Sequence, residues 1–291
     1  MDIRAILMGL VFAFIWSSAF TSARIIVADA PPLASLALRF FISGVLGVIL
    51  AKMMGQTWQL TRDQWRATFI FGLCQNALYL GLFFFAMQTI EASLASIIAS
   101  VMPLMVAFAG WAVFKDKLQP MAVIGLVAGV IGVVVIMGAR INGGVDLFGI
   151  ALCVIGTIAL TIATLSMRGA SSGGNLMMIV GLQMLVGSAF LAVASAFIET
   201  IEVNFTWPLA FAFTYTIMAP GLLATWIWFA LVARIGAVRA ATFHFLNPFF
   251  GVAIASVLLG EKLGLMDVIG VVIIAAGILA VQLSKQVSSQ T

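Results

Sequence analysis

Ten long apolar runs, separated by short polar connections, constrain this chain more than any motif in it. They lie near residues 5–27, 32–54, 66–88, 91–113, 119–138, 147–169, 176–198, 207–232, 237–259 and 264–284. Each is close to the roughly 20 residues with which a helix crosses a hydrocarbon layer about 30 Å thick. The composition agrees, with 64% hydrophobic and 8% charged residues and a mean hydropathy of +1.22, where an ordinary soluble domain carries about 25% charge. So few charges cannot cover a soluble globule, so the expected surroundings are a lipid bilayer. In lipid every backbone group needs an internal partner, which leaves helices or a closed barrel. Continuous apolar runs lack the alternation of barrel strands. The expected fold class is an all-α integral membrane protein with ten transmembrane helices.

The connections carry turn formers: Ala30-Pro31-Pro32, Asn142-Gly143-Gly144 and Ser171-Ser172-Gly173-Gly174. None is long enough to hold a soluble domain. Ala28-Asp29-Ala30 imitates a signal cleavage site, but the run from Ala5 to Val27 outlasts a signal core of about 7–15 residues. Pro31 follows at once, so this run is expected to stay as the first membrane helix. Cys74 and Cys153 both fall inside apolar segments, where packing is the default role.

Orientation follows from the basic residues, which favour the cytoplasmic side. With the N-terminus inside, Arg4, Lys52, Arg62, Arg66, Lys115, Lys117, Arg168, Arg234, Arg239 and Lys285 are cytoplasmic, and Arg24, Arg140 and Lys262 are external. Glu91, Glu199 and Glu202 are among the acids outside. The expectation is a multi-pass protein of a bacterial cytoplasmic (inner) membrane with both termini in the cytoplasm.

The chain also repeats itself. Residues 92–118 align without gaps on 237–263 at an offset of 145: Ala92, Ala95, Pro103, Lys117 and Leu118 meet Ala237, Ala240, Pro248, Lys262 and Leu263, and Asp116 meets Glu261. Gly125 and Gly132 meet Gly270 and Gly277, and Arg24 meets Arg168 at 144. The expected organisation is a first five-helix repeat over 1–143 and a second over 144–291. Five is odd, so equivalent helices run oppositely across the membrane, which is the inverted-repeat plan of secondary transporters, with solute held in a central cavity near the midplane.

At this point the sequence resembles the EamA-type exporters of the drug/metabolite transporter superfamily. The resemblance rests on Phe14-Ile15-Trp16-Ser17-Ser18, Arg39, Pro103, Asn247-Pro248 and Leu259-Gly260-Glu261-Lys262-Leu263, and it spans the chain in length, helix number and duplication. One departure is Phe114-Lys115-Asp116, where a Leu-Gly-Glu-like triplet is more typical. Size and aromatic content resemble the YddG group of amino-acid exporters within that family. The resemblance implies export of amino acids, aromatic or large neutral ones above all, or of similar small metabolites, by alternating access.

Candidate solute-contacting residues are those whose polarity is out of place in mid-membrane. Trp16 lies about 16 Å into the first helix at 1.5 Å per residue, whereas Trp58, Trp65 and Trp207 fall at the interfaces that membrane tryptophans prefer. Trp16 with Ser17 and Ser18 either faces a cavity or packs against a neighbouring helix. Gln75, Asn76 and Tyr79 form a second cluster, with Asn76 and Tyr79 on one face at helical spacing; interhelical hydrogen bonding is the competing role. Thr157, Thr161 and Thr164 share a face, and Thr161 is the approximate repeat mate of Ser17. Threonines there either line a cavity or bond their own i−4 carbonyls. His244, the one histidine, precedes Asn247-Pro248 by a turn and is a candidate for solute or proton contact. Pro103 and Pro248 are candidate gating hinges or packing kinks. Arg39, about 10 Å into the second helix, can partly snorkel and is expected either to anchor that helix by pairing with an external carboxylate such as Glu91 or to contact the solute directly. The Gly125 and Gly129 spacing permits close helix approach, within the monomer or in a weak homodimer. The Phe83-Phe84-Phe85 run and Met87 either line the cavity or face lipid.

No acid falls in the middle of a run, so proton or sodium coupling through a buried carboxylate is not expected, and uncoupled flux is a serious alternative. Aromatic and hydroxyl groups with few fixed charges suit a small neutral or zwitterionic solute. A multidrug or nucleotide-sugar-like carrier is the competing reading. HExxH, GxSxG and acidic metal clusters are absent from the sequence, and nothing in it calls for catalysis, a metal, another cofactor or nucleic acid. Rings of like charge that would mark a pore are absent as well.

Overall fold

A computed structural model describes residues 3–115, 119–142, 144–166, 175–235, 240 and 242–288. Within them run α1 (Ile3–Asp29), α2 (Pro32–Met53), α3 (Arg62–Ala86), α4 (Ala92–Phe114), α5 (Pro120–Asn142) and α6 (Leu147–Ser166). They are followed by α7 (Leu176–Ile198), α8 (Trp207–Thr216, continued through Ile217–Leu223 and Ala224–Ile235), α9 (Phe243–Leu259) and α10 (Leu265–Ser288). Among the described residues nine helices are long and apolar enough to span a bilayer, and α9 is a shorter apolar helix. Residues 236–239 and 241, at the start of the run expected over 237–259, lie outside the described residues. Large apolar side chains such as Phe41, Val130, Phe197 and Val257 are exposed on these helices, as a lipid solvent requires.

Local chemistry sets the helix ends. Pro32 opens α2 at a position where a missing N–H costs nothing. Thr61 and Gln64 form a capping box at the start of α3, each side chain accepting from the other's backbone N–H at 3.3 and 3.0 Å. At the end of α9, Gly260 turns into the left-handed region (φ 67°). Its repeat mate Lys115, at the end of α4, does the same (φ 60°). Lys115 therefore takes the left-handed turn that Gly260 takes in the second half, without being a glycine. Asp116, Lys117 and Leu118 lie outside the described residues.

The helices gather in two compact units, one within Met1–Ser22, Thr89–Ile150 and Met218–Thr291, the other within Ala23–Gln88 and Ala151–Ile217. Each unit draws on both halves of the sequence, because a helix packs on its counterpart five helices later. In the first unit α4 packs on α9 and α5 on α10; in the second α2 packs on α7. Each pair is antiparallel. The carboxylate of Glu199, at the end of α7, accepts the first N–H groups of α2, from Leu33 and Ala34, at 2.8 and 2.9 Å. Glu261, just past α9, does the same for Ala92 and Ser93 at the start of α4, again at 2.8 and 2.9 Å. Both carboxylates satisfy orphan donors at a positive helix end.

The α5–α10 contact shows the symmetry most directly. Gly125 sits against Gly277, and Gly132 against Gly270; a β-carbon added at Gly125 would lie 2.5 Å from the Gly277 carbonyl oxygen, and one at Gly270 2.8 Å from that of Gly132. Since Gly270 and Gly277 are the repeat mates of Gly125 and Gly132, exchanging every residue for its mate turns the first contact into the second, which is the self-complementary contact of a twofold relation. The close approach predicted from the Gly125 and Gly129 spacing thus occurs within one chain. The α2–α7 pair follows the same pattern at an offset of 144: Gly44 abuts Gly181, and the Ser188 hydroxyl donates to the Ala37 carbonyl at 2.8 Å.

Distortions repeat as well. Gly72–Tyr79 in α3 and Ile217–Leu223 in α8 both widen to i→i+5 bonding, beginning 145 residues apart. Pro220 accounts for the second; α3 has no proline in the corresponding stretch. Pro103 and Pro248 each enter near the start of a fresh α-helical segment, Met102–Phe114 and Asn247–Leu259, after a tightened turn.

Candidate functional site

Within the first unit, α1, α8 and α9 bring together Phe12, Trp16, Ser17, Trp228, His244 and Asn247. Phe12 and Trp16, one turn apart on α1, approach to 5.7 Å between ring centres. Trp228 stacks obliquely on Phe12 at 4.9 Å. The His244 ring stands edge-on to Phe12 at 5.4 Å and lies 5.3 Å from Trp228. The Asn247 amide nitrogen meets His244 Nδ1 at 2.9 Å; an amide nitrogen only donates, so Nδ1 accepts and a neutral ring carries its proton on Nε2. Ser17 donates to the Asn247 backbone carbonyl at 3.2 Å, tying α1 to the start of the α-helical part of α9. Asn247 Oδ1 is buried and has no hydrogen-bond partner among the described residues. The result is an aromatic cluster around a histidine, with an unpaired amide oxygen on the same residue that orients the ring.

Of the residues singled out from the sequence, Trp16, Ser17, His244 and Asn247 are therefore brought together. Phe12 and Trp228 were missed. Phe12 was legible, lying one turn before Trp16 on the same face. Trp228 was not: Trp226 and Trp228 are indistinguishable in sequence, yet Trp226 is 64% exposed while Trp228 packs on Phe12.

In the second unit the polar residues are largely tied up in structure. Asn76 and Tyr79 are buried, but the widened turn at Gly72–Tyr79 replaces the ordinary α spacing from which a shared face was expected. Asn76 donates to the Gln183 carbonyl of α7 at 2.9 Å, and Tyr79 packs on Phe83 at 4.7 Å. Thr157, Thr161 and Thr164 donate to the carbonyls of Cys153, Thr157 and Leu160 at 2.8, 2.9 and 2.8 Å. Those protons are spent on the helix itself, leaving oxygens that can still accept. Phe83, Phe84 and Met87 are core residues and do not face lipid.

Arg39 departs from expectation. It is 7% exposed, and no carboxylate pairs with it among the described residues, so it is not the anchored ion pair the sequence reading anticipated. Its guanidinium lies over the Phe40 ring at 5.2 Å.

Outside the membrane segments, Asp146 precedes α6 and accepts from the Thr89 hydroxyl at 2.6 Å and the Phe148 N–H at 3.0 Å. The Thr89 bond foremost, with backbone bonds from Phe148 and Gly149, holds its carboxyl below the ordinary carboxylate value.

Antiparallel pairing of helices five apart, apolar outer faces and a half-buried aromatic and polar cluster define a membrane transporter of the inverted-repeat type. Residues 3–138 and 147–283 match the model of the EamA-like transporter family, and the chain belongs to that family. Among its relatives, the uncharacterized transporter YvbV of Bacillus subtilis (strain 168) is 26% identical over 93% of this chain and 90% of its own length. A probable amino-acid metabolite efflux pump of Salmonella typhimurium is also 26% identical, over 93% of this chain and 92% of that protein. The uncharacterized inner membrane transporter YedA of Escherichia coli is 24% identical over 96% and 91%. A crystal structure of a protein 19% identical in sequence superposes with a TM-score of 0.67 over 99% of both chains, a likeness of fold.

Proposed function

We propose that this chain exports amino acids with aromatic or large neutral side chains, or similar small metabolites, by alternating access across a bacterial inner membrane, with both termini in the cytoplasm. The observation that carries the reading is the cluster of Phe12, Trp16 and Trp228 around the His244–Asn247 pair. Aromatic faces receive an apolar or aromatic side chain, and the open Asn247 Oδ1 accepts from a solute N–H. The relative described as an amino-acid metabolite efflux pump supports the same solute class. Residues 1–143 and 144–291 act as the two repeats, and the breaks at Pro103 and Pro248 are the hinges about which α4 and α9 bend.

The test is flux of radiolabelled amino acids, sugars and cationic drugs in proteoliposomes, with and without an imposed pH gradient. Tryptophan, phenylalanine or leucine flux supports the reading, and Trp228→Ala and His244→Ala should each cut it at least about tenfold while the protein still inserts and melts cooperatively. Drug flux without amino-acid flux would favour the multidrug reading. Wild-type flux in both variants would return these side chains to a packing role.

A further inference from the structure

We propose that Arg39 is an oxyanion-binding residue that receives the carboxylate of the transported solute. This rests on the carrier reading and narrows its solutes to carboxylates. An ionisable side chain inside a membrane is costly and normally finds a counter-charge or a ring of acceptors. Arg39 lies about 10 Å along α2 from Pro32 and is 7% exposed. No hydrogen bond or ion pair reaches its guanidinium from the described residues, and Nε is sealed without a partner. The Phe40 ring lies 5.2 Å from the guanidinium carbon.

The four acids of the same unit are accounted for elsewhere. Asp29 accepts from Asn204 and Thr206, and Glu199 caps α2. Asp63 sits exposed in the first turn of α3, and Glu202 is exposed between α7 and α8. One helical turn beyond Arg39, on the same face of α2, Ser43 is 1% exposed and its hydroxyl also lacks a partner. A planar guanidinium fork with a hydroxyl beside it offers donors and no acceptors of equal charge, the complement of a carboxylate. The protein supplies the positive half of an ion pair, and the solute supplies the other.

The experiment uses the purified full chain in phosphatidylcholine nanodiscs and three probes of one shape: L-phenylalanine, phenethylamine, which lacks the carboxylate, and 3-phenylpropionate, which lacks the ammonium. Leucine and tryptophan with their amines and acids extend the series. Binding is read from ligand-dependent thermal stability. The wild type should bind each acid roughly tenfold to a hundredfold more tightly than the matching amine, the worth of a charge-assisted hydrogen bond. Arg39→Gln should erase that preference by weakening the acids, and Ser43→Ala should reduce it in part. Where Arg39→Gln does not fold, Arg39→Lys and the wild-type series decide. Equal binding of acids and amines, binding of none of the acids, or a preference that survives Arg39→Gln overturns the proposal. So does stabilisation by phosphatidylglycerol alone, which would make Arg39 a lipid-headgroup site. Acid-selective binding without amino-acid flux would sink the export reading and keep Arg39; equal flux of phenylalanine and phenethylamine would do the reverse.

Discussion

Lys115 shows how a single backbone angle carries the history of the repeat. It holds φ 60°, where its mate Gly260 holds φ 67°. A left-handed L-residue costs about 1–2 kcal/mol that glycine does not pay. Lys115→Gly should therefore raise stability by about 1 kcal/mol, seen as a higher melting temperature in detergent. Asp146 offers a second residue-scale test. Its carboxyl is held below its ordinary value of 3.8, so its contribution is present above that value and is lost as pH falls through the depressed one. Asp146→Asn should lower stability slightly at neutral pH, leave it nearly unchanged at low pH, and so flatten the acid limb of the stability–pH curve. His244 was visible in the sequence as the one histidine, but its Asn247 partner three residues on became an orienting group only with the ring contacts in hand.

At the scale of the element, glycine placement decides which helices touch. The α5–α10 crossing brings backbone against backbone, so a β-carbon at Gly277 would stand 2.6 Å from the Gly125 carbonyl oxygen and 3.0 Å from the Gly129 nitrogen. Neither can yield as a flexible side chain would. Gly277→Ala should cost about 1–3 kcal/mol through this overpacking. Gly138→Ala on α5, with nothing within 4 Å of the added carbon, should be neutral or slightly stabilising; thermal melts of the pair check both. The widened turns in α3 and α8 mark the limit of sequence reading at this scale. Pro220 announces one, but Gly72–Tyr79 contains no proline, and its i→i+5 bonding accompanies the packing of α7 against that stretch, where Gly187 lies against Asn76. Intrinsic propensity does not contain that contact.

For the whole molecule, the charge distribution predicts both termini inside, and labelling tests it. In a chain whose own cysteines, Cys74 and Cys153, are replaced by alanine, Met54→Cys after α2 should react with a membrane-impermeant maleimide only from the cytoplasmic side. Val203→Cys before α8 should react only from outside. The reverse pattern, or labelling of both from one side, would overturn the topology.

Membrane solvation made most of the architecture readable from the chain alone. A bilayer forces every span to be a long apolar helix, so the helices announce themselves by length and composition, and a constant offset in prolines and glycines exposes the duplication. Those signals are local or periodic. Which of two neighbouring tryptophans turns inward, whether three threonines keep their protons for their own helix, and whether a buried arginine finds a carboxylate are not periodic properties. They depend on what residues some two hundred positions away place beside them, as Asn247 does for Ser17. Only the tertiary structure could decide them, because a polar group in an apolar medium takes its role from the one partner within hydrogen-bond reach, or from the lack of it.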